Sequence, residues 1–269
     1  MPRLRVLARV CRLLLVVLLG VLMACVIAVG QRLGLKASLE RRQRWTCLFM
    51  KRLVAALPFD VQVRGALPQR PMLWVSNHVS WTDIPLLGML MPLSFLSKAE
   101  VRQWPLAGWL AEQAGTLFIR RGGGDSERLR EQMARQLGLA RPLLIFPEGT
   151  TTSGHALRTF HGRLLAAAID RGVAVQPVAI QYLRDGQIDP VAPFVGDDDL
   201  VAHLLRLFAQ PRAQVCIHLL PPIGTVGKER ALLAMQAQQA IHLALYGFEN
   251  VEAAPRRPAR AALDLTGAA

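Results

Sequence analysis

The stretch Met72–Asp83 reads MLWVSNHVSWTD, and a second stretch, Pro142–Thr150, reads PLLIFPEGT. Each stretch begins with a short apolar run and then turns at polar residues. Short apolar runs that end in a turn are typical of strands buried in a sheet, and the loops at the carboxyl ends of such strands carry the chemistry of α/β enzymes. The two stretches therefore predict two buried strands whose following loops contribute to one site.

Strands and helices alternate along most of the chain. This predicts an α/β fold with a mixed, largely parallel sheet flanked by helices. The predicted strands lie at 60–65, 72–76, 93–97, 116–119, 143–146, 174–181 and 214–219. The predicted helices of this part lie at 82–91, 99–113, 125–139, 161–170, 198–209 and 227–246. We expect a catalytic domain at 59–249 and a disordered tail at 250–269, where proline and arginine recur.

The N-terminal part, residues 1–58, predicts a membrane anchor of two helices. Residues 13–30 carry no charged side chain, and a helix of that length reaches about 27 Å, close to the thickness of the hydrocarbon layer. Apolar residues at helical spacing among arginines predict an amphipathic second helix at 37–57. Basic residues flank the first helix on both sides, which leaves open a spanning helix or a hairpin in the cytoplasmic leaflet. The hairpin is favoured because both flanks then meet anionic headgroups.

The composition also indicates a membrane partner. Arginine and lysine number 32 against 19 acidic residues, and 52% of the residues are hydrophobic. The resulting net charge of +13 favours an anionic partner, either nucleic acid or acidic lipid. Because the sequence has no zinc-finger spacing or RNA-binding signature, we expect membrane lipids and no nucleic acid. The four cysteines lie far apart in the sequence, which predicts no disulfide framework and a reducing cytoplasm.

His78 and Asp83 form the first candidate catalytic pair. The loop between them is long enough for the Asp83 carboxylate to accept a hydrogen bond from one ring nitrogen of His78, which leaves the other nitrogen as a base. Alternatively, Asp83 caps the helix that follows, with Pro85 in the first turn, and His78 is a polar surface residue. The two roles of Asp83 are compatible.

Two further groups of residues are expected near the same edge of the sheet. Glu148 leaves its strand in a tight turn, which places it at the edge where His78 lies, although alone it would be interpreted as a solvated turn residue. Arg120 and Arg121 end another strand. Adjacent guanidinium groups suit a phosphate or another anionic headgroup, and a solvated basic strand end is the alternative.

These residues resemble the motifs of the lysophosphatidate acyltransferase family, the glycerolipid acyltransferases of bacterial type. Asn77 and His78 with Asp83 match the family motif N-H-x4-D, and residues 146–150 match F-P-E-G-T. Gly115, Phe118, Ile119 and Arg120 are assigned to the block G-x-x-F-I-x-R, and residues 175–178 resemble a block around V-P-V. The resemblance runs in order from about residue 61 to residue 220.

The resemblance implies an O-acyltransferase of the membrane surface. Such an enzyme moves a fatty acyl chain from acyl-CoA or acyl carrier protein, as co-substrate, to the free hydroxyl of a lysolipid. The first expected acceptor is 1-acyl-sn-glycerol-3-phosphate, which gives phosphatidic acid. The resemblance makes His78 the general base and Asp83 its orienting group, and it implies no metal or other cofactor. It implies substrate-binding roles for Glu148, Gly149, Thr150, Arg120, Lys98 and Asn77.

One position departs from the family pattern. The family commonly continues F-P-E-G-T with arginine and serine, and that arginine is associated with the phosphate of the acceptor. Here Thr151 and Thr152 follow. Related bacterial members with threonine or serine at this point include acyltransferases of lyso-ornithine lipid, so that lipid, or another lysolipid, is the alternative acceptor. Arg120 and Lys98 remain as candidate phosphate ligands.

Other classes of protein fit the sequence less well. A serine hydrolase would require G-x-S-x-G, which does not occur. A nucleotide enzyme would require a P-loop, and the segment 224–228 lacks its spacing. The alternative that is not an enzyme is a catalytically inactive membrane protein that binds lipid.

Overall fold

The computed structural model describes residues 2–34, 38–103, 107–113, 115–119 and 126–247, and the predicted tail at 250–269 lies outside them. Within these residues the strands are β1 Phe59–Arg64, β2 Leu73–Ser76, β3 Ser94–Lys98, β4 Leu117–Ile119, β5 Leu143–Ile145, β6 Val175–Arg184, β7 Gln187–Ile188 and β8 Ala213–Leu219. The α-helices are α1 Pro2–Arg32, α2 Leu39–Ala56, α3 Asp83–Gly88, α4 Ala107–Gln113, α5 Ser126–Gly138, α6 Ala166–Asp170, α7 Leu200–Ala209 and α8 Arg230–Tyr246.

The described strands form one mixed sheet in the order β1-β8-β6-β2-β5-β3-β4, with β7 paired to β6. Only β8 against β6 and β7 against β6 run antiparallel, and the other neighbouring pairs are parallel. The prediction of a largely parallel sheet flanked by helices is confirmed. All four residues of β2 are buried, as expected for a central strand that is covered on both faces.

The register of β2 and β5 brings the two motif loops together. The strands are parallel neighbours, and Val75 in β2 lies opposite Ile145 in β5. Successive side chains point to opposite faces of the sheet, so Trp74 joins one hydrophobic cluster while Val75 joins the other. Because the two strands end side by side, the loops that follow them start at the same edge.

Two of the predicted helices begin as 3-10 turns in the structure. In the range 99–113, the described residues form a 3-10 turn, Ala99–Gln103, and helix α4. The helix predicted at 161–170 likewise begins as a 3-10 turn, Gly162–Leu165, before α6.

The strand predicted at 174–181 extends further and turns back. It continues to Arg184 and pairs with β7 through the turn Asp185-Gly186. Both turn residues have positive φ, 53° and 80°, as in the type I′ turns that connect tight hairpins. An Asp-Gly pair is a known hairpin signal, and the sequence-based prediction did not use it.

The first helix is longer than the predicted 13–30, because α1 begins at Pro2 and includes the arginine-rich segment before the apolar run. One face is buried or half-buried at helical spacing, at Val6, Val10, Leu13, Val17, Gly20, Ala24 and Ile27. The other face exposes Leu4, Leu7, Leu14, Leu15, Leu18, Leu22, Val26 and Val29. By length and composition alone, the helix could cross a membrane.

Helix α1 contacts the rest of the protein near its start and again in its second half. Arg9 Nη1 donates to the carbonyl oxygens of Phe208 at 2.7 Å and Gln210 at 2.6 Å, and Arg5 donates to that of Ala209. The last carbonyls of a helix such as α7 lack partners within the helix and carry partial negative charge. In its second half, α1 packs so closely on α2 that a side chain added at Gly20 would overlap a ring in α2.

Candidate active site

The residues after β2 form a loop around the carboxylate of Asp83. Asp83 is fully buried, and its Oδ2 accepts hydrogen bonds from the backbone N–H groups of Val79 at 2.7 Å and Ser80 at 3.0 Å. Nδ1 of His78 lies 2.8 Å from the same oxygen. Thr82 occupies the cap position of α3, so Asp83 is the first residue of the helix and turns back to the loop. The structure thus brings His78 and Asp83 into direct contact.

The environment of His78 determines which ring nitrogen can act as a base. An ionised carboxylate only accepts, so the proton of the neutral ring lies on Nδ1 and Nε2 has a free lone pair. The ring stacks on Phe146, with 3.9 Å between centroids and 12° between planes. The side chain is 17% exposed. Among the described residues, none makes a hydrogen bond to Nε2.

Glu148 lies beside His78 but faces the backbone. Its side chain is 3% exposed, Oε1 accepts from the N–H of His78 at 2.8 Å, and Oε2 accepts from the N–H of Arg158 at 2.8 Å. Burial raises the pKa of Glu148, and the two backbone hydrogen bonds oppose that shift. The carboxylate therefore joins the His78 loop to the segment around residue 158.

The turn after Glu148 depends on glycine. Gly149 has a φ of +71°, which is strained for residues with a side chain, and its N–H donates to the carbonyl of Phe146 at 3.1 Å. Thr150 follows and is half-buried. Both residues lie in the loop after β5, at the edge of the sheet where His78 lies.

The side chain of Asn77 is buried and bonded to the backbone of β6. It is 2% exposed, its Nδ2 donates to the carbonyl of Ile180 at 2.9 Å, and its Oδ1 accepts from the N–H of Ile180 at 2.8 Å. Both polar atoms of the amide are thus used in joining the end of β2 to β6. This arrangement favours a positioning role over contact with a substrate.

The predicted anion ligands are placed differently. Lys98 is the last residue of β3, is exposed, and lies at the carboxyl edge that β3 shares with its parallel neighbour β5. Arg120 and Arg121 lie outside the described residues. Counted from Gly115, the arginine of the G-x-x-F-I-x-R block is Arg121 rather than Arg120.

The threonines that replace the family's arginine and serine connect loops. Thr151 Oγ1 donates to the carbonyl of Phe194, and the N–H of Phe194 donates to the carbonyl of Val79 at 2.9 Å. The N–H of Thr152 donates to the carbonyl of His78 at 2.8 Å. Position 151 therefore carries no positive charge and links the segment around residue 194 to the His78 loop.

Tyr182 in β6 also lies beside the site, and the sequence did not predict this. Its buried hydroxyl donates to Oδ1 of Asp83, the oxygen that faces away from His78. The two residues lie 99 positions apart, and a tyrosine in a strand carries no signal of its own. Only strand order brings Tyr182 to this place.

A surface cavity of about 360 Å³ lies between α5 and α6 and shares no lining residue with the site around His78. Across it, Arg130 donates to both carboxylate oxygens of Asp170, at 2.6 and 2.7 Å. A cavity lined by charged side chains does not suit a fatty acyl chain. Among the described residues, no group of three or more His, Cys, Asp or Glu could hold a metal ion.

Comparison with known proteins agrees with the fold and the motifs. The model of a family described as acyltransferase matches residues 59–181. The lyso-ornithine lipid O-acyltransferase of Pseudomonas aeruginosa is 60% identical over 262 residues, which cover 97% of this chain and 100% of that protein. The 1-acyl-sn-glycerol-3-phosphate acyltransferase of Neisseria meningitidis is 31% identical over 65% of this chain and 70% of its own length.

A solved structure has the same fold. The crystal structure of the 1-acyl-sn-glycerophosphate acyltransferase PlsC from Thermotoga maritima aligns with a TM-score of 0.59 at 23% identity. The alignment covers 88% of this chain and 97% of that one.

Proposed function

The chain belongs to the acyltransferase family, and from that premise we propose that it moves a fatty acyl chain from a thioester to the free hydroxyl of lyso-ornithine lipid. Acyl transfer to a lysolipid is the activity that the names of these relatives share. We choose this acceptor because the chain is similar to the Pseudomonas enzyme along the full length of that protein.

The residue at position 151 supports this acceptor. At the position of Thr151, lysophosphatidate acyltransferases commonly have an arginine that is associated with the phosphate of the acceptor. The Thr151 hydroxyl donates a hydrogen bond to the backbone carbonyl of Phe194. An ornithine headgroup carries an amino acid in place of a phosphate, so it does not require that guanidinium. The sequence similarity and the chemistry of the loop thus agree.

The second candidate acceptor is 1-acyl-sn-glycerol-3-phosphate, the substrate in the name of the Neisseria relative. Lys98 favours it, because this exposed lysine lies at the carboxyl edge of the sheet. Arg120 is retained as a candidate for the same phosphate. Lyso-ornithine lipid is preferred because the similarity to the Pseudomonas enzyme extends along the full length of that protein.

We propose His78 as the general base. Nε2 takes the proton of the acceptor hydroxyl while its oxygen attacks the thioester carbonyl, and Asp83 stabilises the imidazolium that forms. The tetrahedral intermediate then expels the thiolate of coenzyme A or of acyl carrier protein, and the imidazolium returns the proton to it. The 2.8 Å contact between His78 and Asp83 supports these roles, and the stacked ring of Phe146 restricts the imidazole. No step uses a metal or redox cofactor.

The remaining candidates divide into two groups. Glu148, Asn77 and Gly149 are proposed to position the catalytic loop, since their polar atoms or turn geometry serve the backbone. Thr150 and Lys98 are proposed to contact the acceptor, since both are at least partly accessible at the edge of the sheet.

We propose that residues 1–58 anchor the enzyme on the cytoplasmic face of the inner membrane, with 59–249 as the catalytic domain. Because α1 contacts α7 through Arg9 and packs on α2 through Gly20, its apolar face can enter one leaflet while the helix stays on the domain. Lysolipid and product both reside in the bilayer, and thioester donors are cytoplasmic.

One assay tests the proposed reaction. Purified enzyme in detergent is given acyl-CoA or acyl carrier protein loaded with a fatty acyl chain. Consumption of the thioester is followed with lyso-ornithine lipid, with lysophosphatidate and with no acceptor. We expect consumption that depends on lyso-ornithine lipid, with the acylated lipid seen by mass spectrometry. Turnover with lysophosphatidate alone would replace the proposed acceptor, and hydrolysis without acceptor would make the protein a thioesterase.

His78→Ala should lower this turnover by at least about 10²-fold while membrane association persists, because the base is lost and the anchor is untouched. The matched control is His155→Ala, since His155 is an exposed histidine in the loop after Gly149. Wild-type turnover of purified His78→Ala enzyme would remove His78 from the mechanism.

A further inference from the structure

A short chain of hydroxyl groups reaches Asp83 from the interior of the protein. Tyr182 Oη donates to Oδ1 of Asp83 and lies 2.7 Å from Oγ1 of Thr82. A carboxylate only accepts hydrogen bonds, so the single phenol proton of Tyr182 is used at Asp83. Thr82 must therefore donate to Tyr182, and the proton order along the chain is determined.

The two oxygens of Asp83 have different partners. Oδ2 faces His78 and the backbone N–H groups of the loop, whereas among the described residues the donor to Oδ1 is Tyr182. A fully buried carboxylate is stable as an ion only when hydrogen-bond donors replace the lost water. If the phenol hydroxyl were removed, no donor to Oδ1 would thus remain among the residues that the structure describes.

The ring of Tyr182 is held in place independently of this bond. It lies in β6, is 2% exposed, and meets the ring of Phe59 edge to face, with 5.5 Å between centroids. Burial and the nearby charge of Asp83 raise the pKa of Tyr182 well above its ordinary value. The phenol therefore remains a protonated donor throughout the pH range in which a histidine base works.

We propose that Tyr182 is a positioning residue of the acyl transfer, which keeps Asp83 ionised and directs its Oδ2 at His78 by donating a hydrogen bond to Oδ1. This inference rests on the proposed function, because it acts through His78 as base. Tyr182 touches neither the acceptor nor the thioester in this scheme. It sets the pH at which the His78–Asp83 pair takes up a proton and stops working. The other titratable or charged groups around the pair and Tyr182 are the same in every enzyme compared below: Glu148, Asp189 and Arg184.

The sign of the effect follows from electrostatics. Without the Tyr182 hydrogen bond, the negative charge of Asp83 is less stabilised, so the pair binds a proton more tightly, whether the proton stays on His78 or on Asp83. The protonated pair cannot accept the proton of the acceptor hydroxyl. The acid limb of the pH profile of kcat/KM must therefore move to higher pH.

The chain contains only two tyrosines, which allows a matched experiment. The kcat/KM for lyso-ornithine lipid with acyl-CoA is measured across the acid limb for wild type, Tyr182→Phe and Tyr246→Phe. Tyr246 is the control, because its hydroxyl donates to the backbone carbonyl of Gly154 at 2.8 Å. We expect Tyr182→Phe to move the acid limb upward by about half a pH unit or more, and Tyr246→Phe to leave it in place.

A second measurement does not require the loss of the hydroxyl. In the Tyr246→Phe background, growth on 3-fluorotyrosine labels position 182 alone. Fluorine makes the phenol a stronger donor, so the acid limb should move to lower pH. This test is also available if Tyr182→Phe fails to fold.

An unshifted acid limb in Tyr182→Phe would overturn the inference, even if activity fell equally at every pH, because that result describes a purely structural residue. An unshifted or upward-shifted limb in the fluorotyrosine enzyme would overturn it as well. His78→Ala is measured in the same series to separate the two proposals. If His78→Ala is inactive and Tyr182→Phe is unshifted, only this inference fails, whereas wild-type turnover of His78→Ala rejects the proposed function itself.

Discussion

Two buried carboxylates flank His78, and their surroundings give them different tasks. Asp83 meets the imidazole ring, while Glu148 meets the backbone N–H of the same residue. The ring is thus oriented from one side and the main chain of the loop from the other. A base held at two points loses little orientation when the acceptor arrives, which favours rapid proton transfer.

Glu148→Gln tests the positioning role at this scale. A glutamine offers an NH₂ group where one carboxylate oxygen accepts a backbone N–H, so one of the two hydrogen bonds becomes a contact between donors. We expect kcat to fall by about tenfold or more, because His78 moves, while the KM for the acceptor stays within about twofold. Steady-state kinetics with varied lyso-ornithine lipid give both constants.

The opposite pattern would contradict the positioning role of Glu148. A large rise in the acceptor KM with unchanged kcat would indicate that Glu148 binds the acceptor directly. Circular dichroism of the variant checks that the comparison is made on folded protein.

At the level of elements, β6 connects the parts of the site. Through Ile180 it holds Asn77 at the end of β2, and through Tyr182 it reaches Asp83 at the start of α3. These two β6 residues point to the same face of the sheet, as residues two apart in a strand do. One central strand therefore supports both ends of the catalytic loop.

The contribution of the contact between α1 and α7 to stability can be tested at the level of elements. Arg9→Ala removes two charged hydrogen bonds to the carboxyl end of α7 and should lower the free energy of unfolding by about 1–3 kcal/mol. Denaturant unfolding of detergent-solubilised protein measures the change. Arg12→Ala is the matched control, because Arg12 is exposed and makes no hydrogen bond to the described residues. Equal stability of the two variants would show that the Arg9 bonds do not secure α1.

For the whole molecule, charge and apolar surface point to the same partner. The net charge of +13 attracts the protein to anionic lipid, and the exposed face of α1 offers an apolar strip along a helix of 31 residues. Electrostatic attraction acts over about a Debye length, whereas insertion of apolar side chains gives binding that salt does not remove. The two contributions can therefore be separated by experiment.

The triple variant Leu14→Gln, Leu18→Gln, Leu22→Gln tests the apolar strip. The three leucines are 60%, 54% and 54% exposed, and each contributes about 1.5–3 kcal/mol when it is buried in lipid. We expect binding to vesicles that contain phosphatidylglycerol to fall by at least about 10²-fold at high salt. Flotation of the vesicles measures the bound fraction.

The control for this prediction is the double variant Leu232→Gln, Met235→Gln in α8. These side chains are exposed apolar residues of another helix, at 41% and 54%. If the double variant lost vesicle binding as strongly as the triple variant, the membrane surface would not be specific to α1.

The amino-acid sequence by itself determined the layered fold and the positions of β2 and β5, and it indicated the pairing of His78 with Asp83. Apolar runs, turn residues and a separation of five positions are local properties, so they can be read without knowing how distant segments pack. The resemblance to known motifs then indicated the chemistry. The Asp185-Gly186 pair of the β6–β7 hairpin is also a local signal, but a weaker one.

Only the tertiary structure decided which distant residues meet. Glu148 bonds to His78 across 70 positions, Tyr182 to Asp83 across 99, and Arg9 to α7 across 199. These contacts depend on strand order and helix docking, which arise from the burial of apolar surface by the whole chain. No single segment encodes these contacts. The apolar pattern of a strand indicates that the strand is buried, but it does not indicate which strands lie beside it.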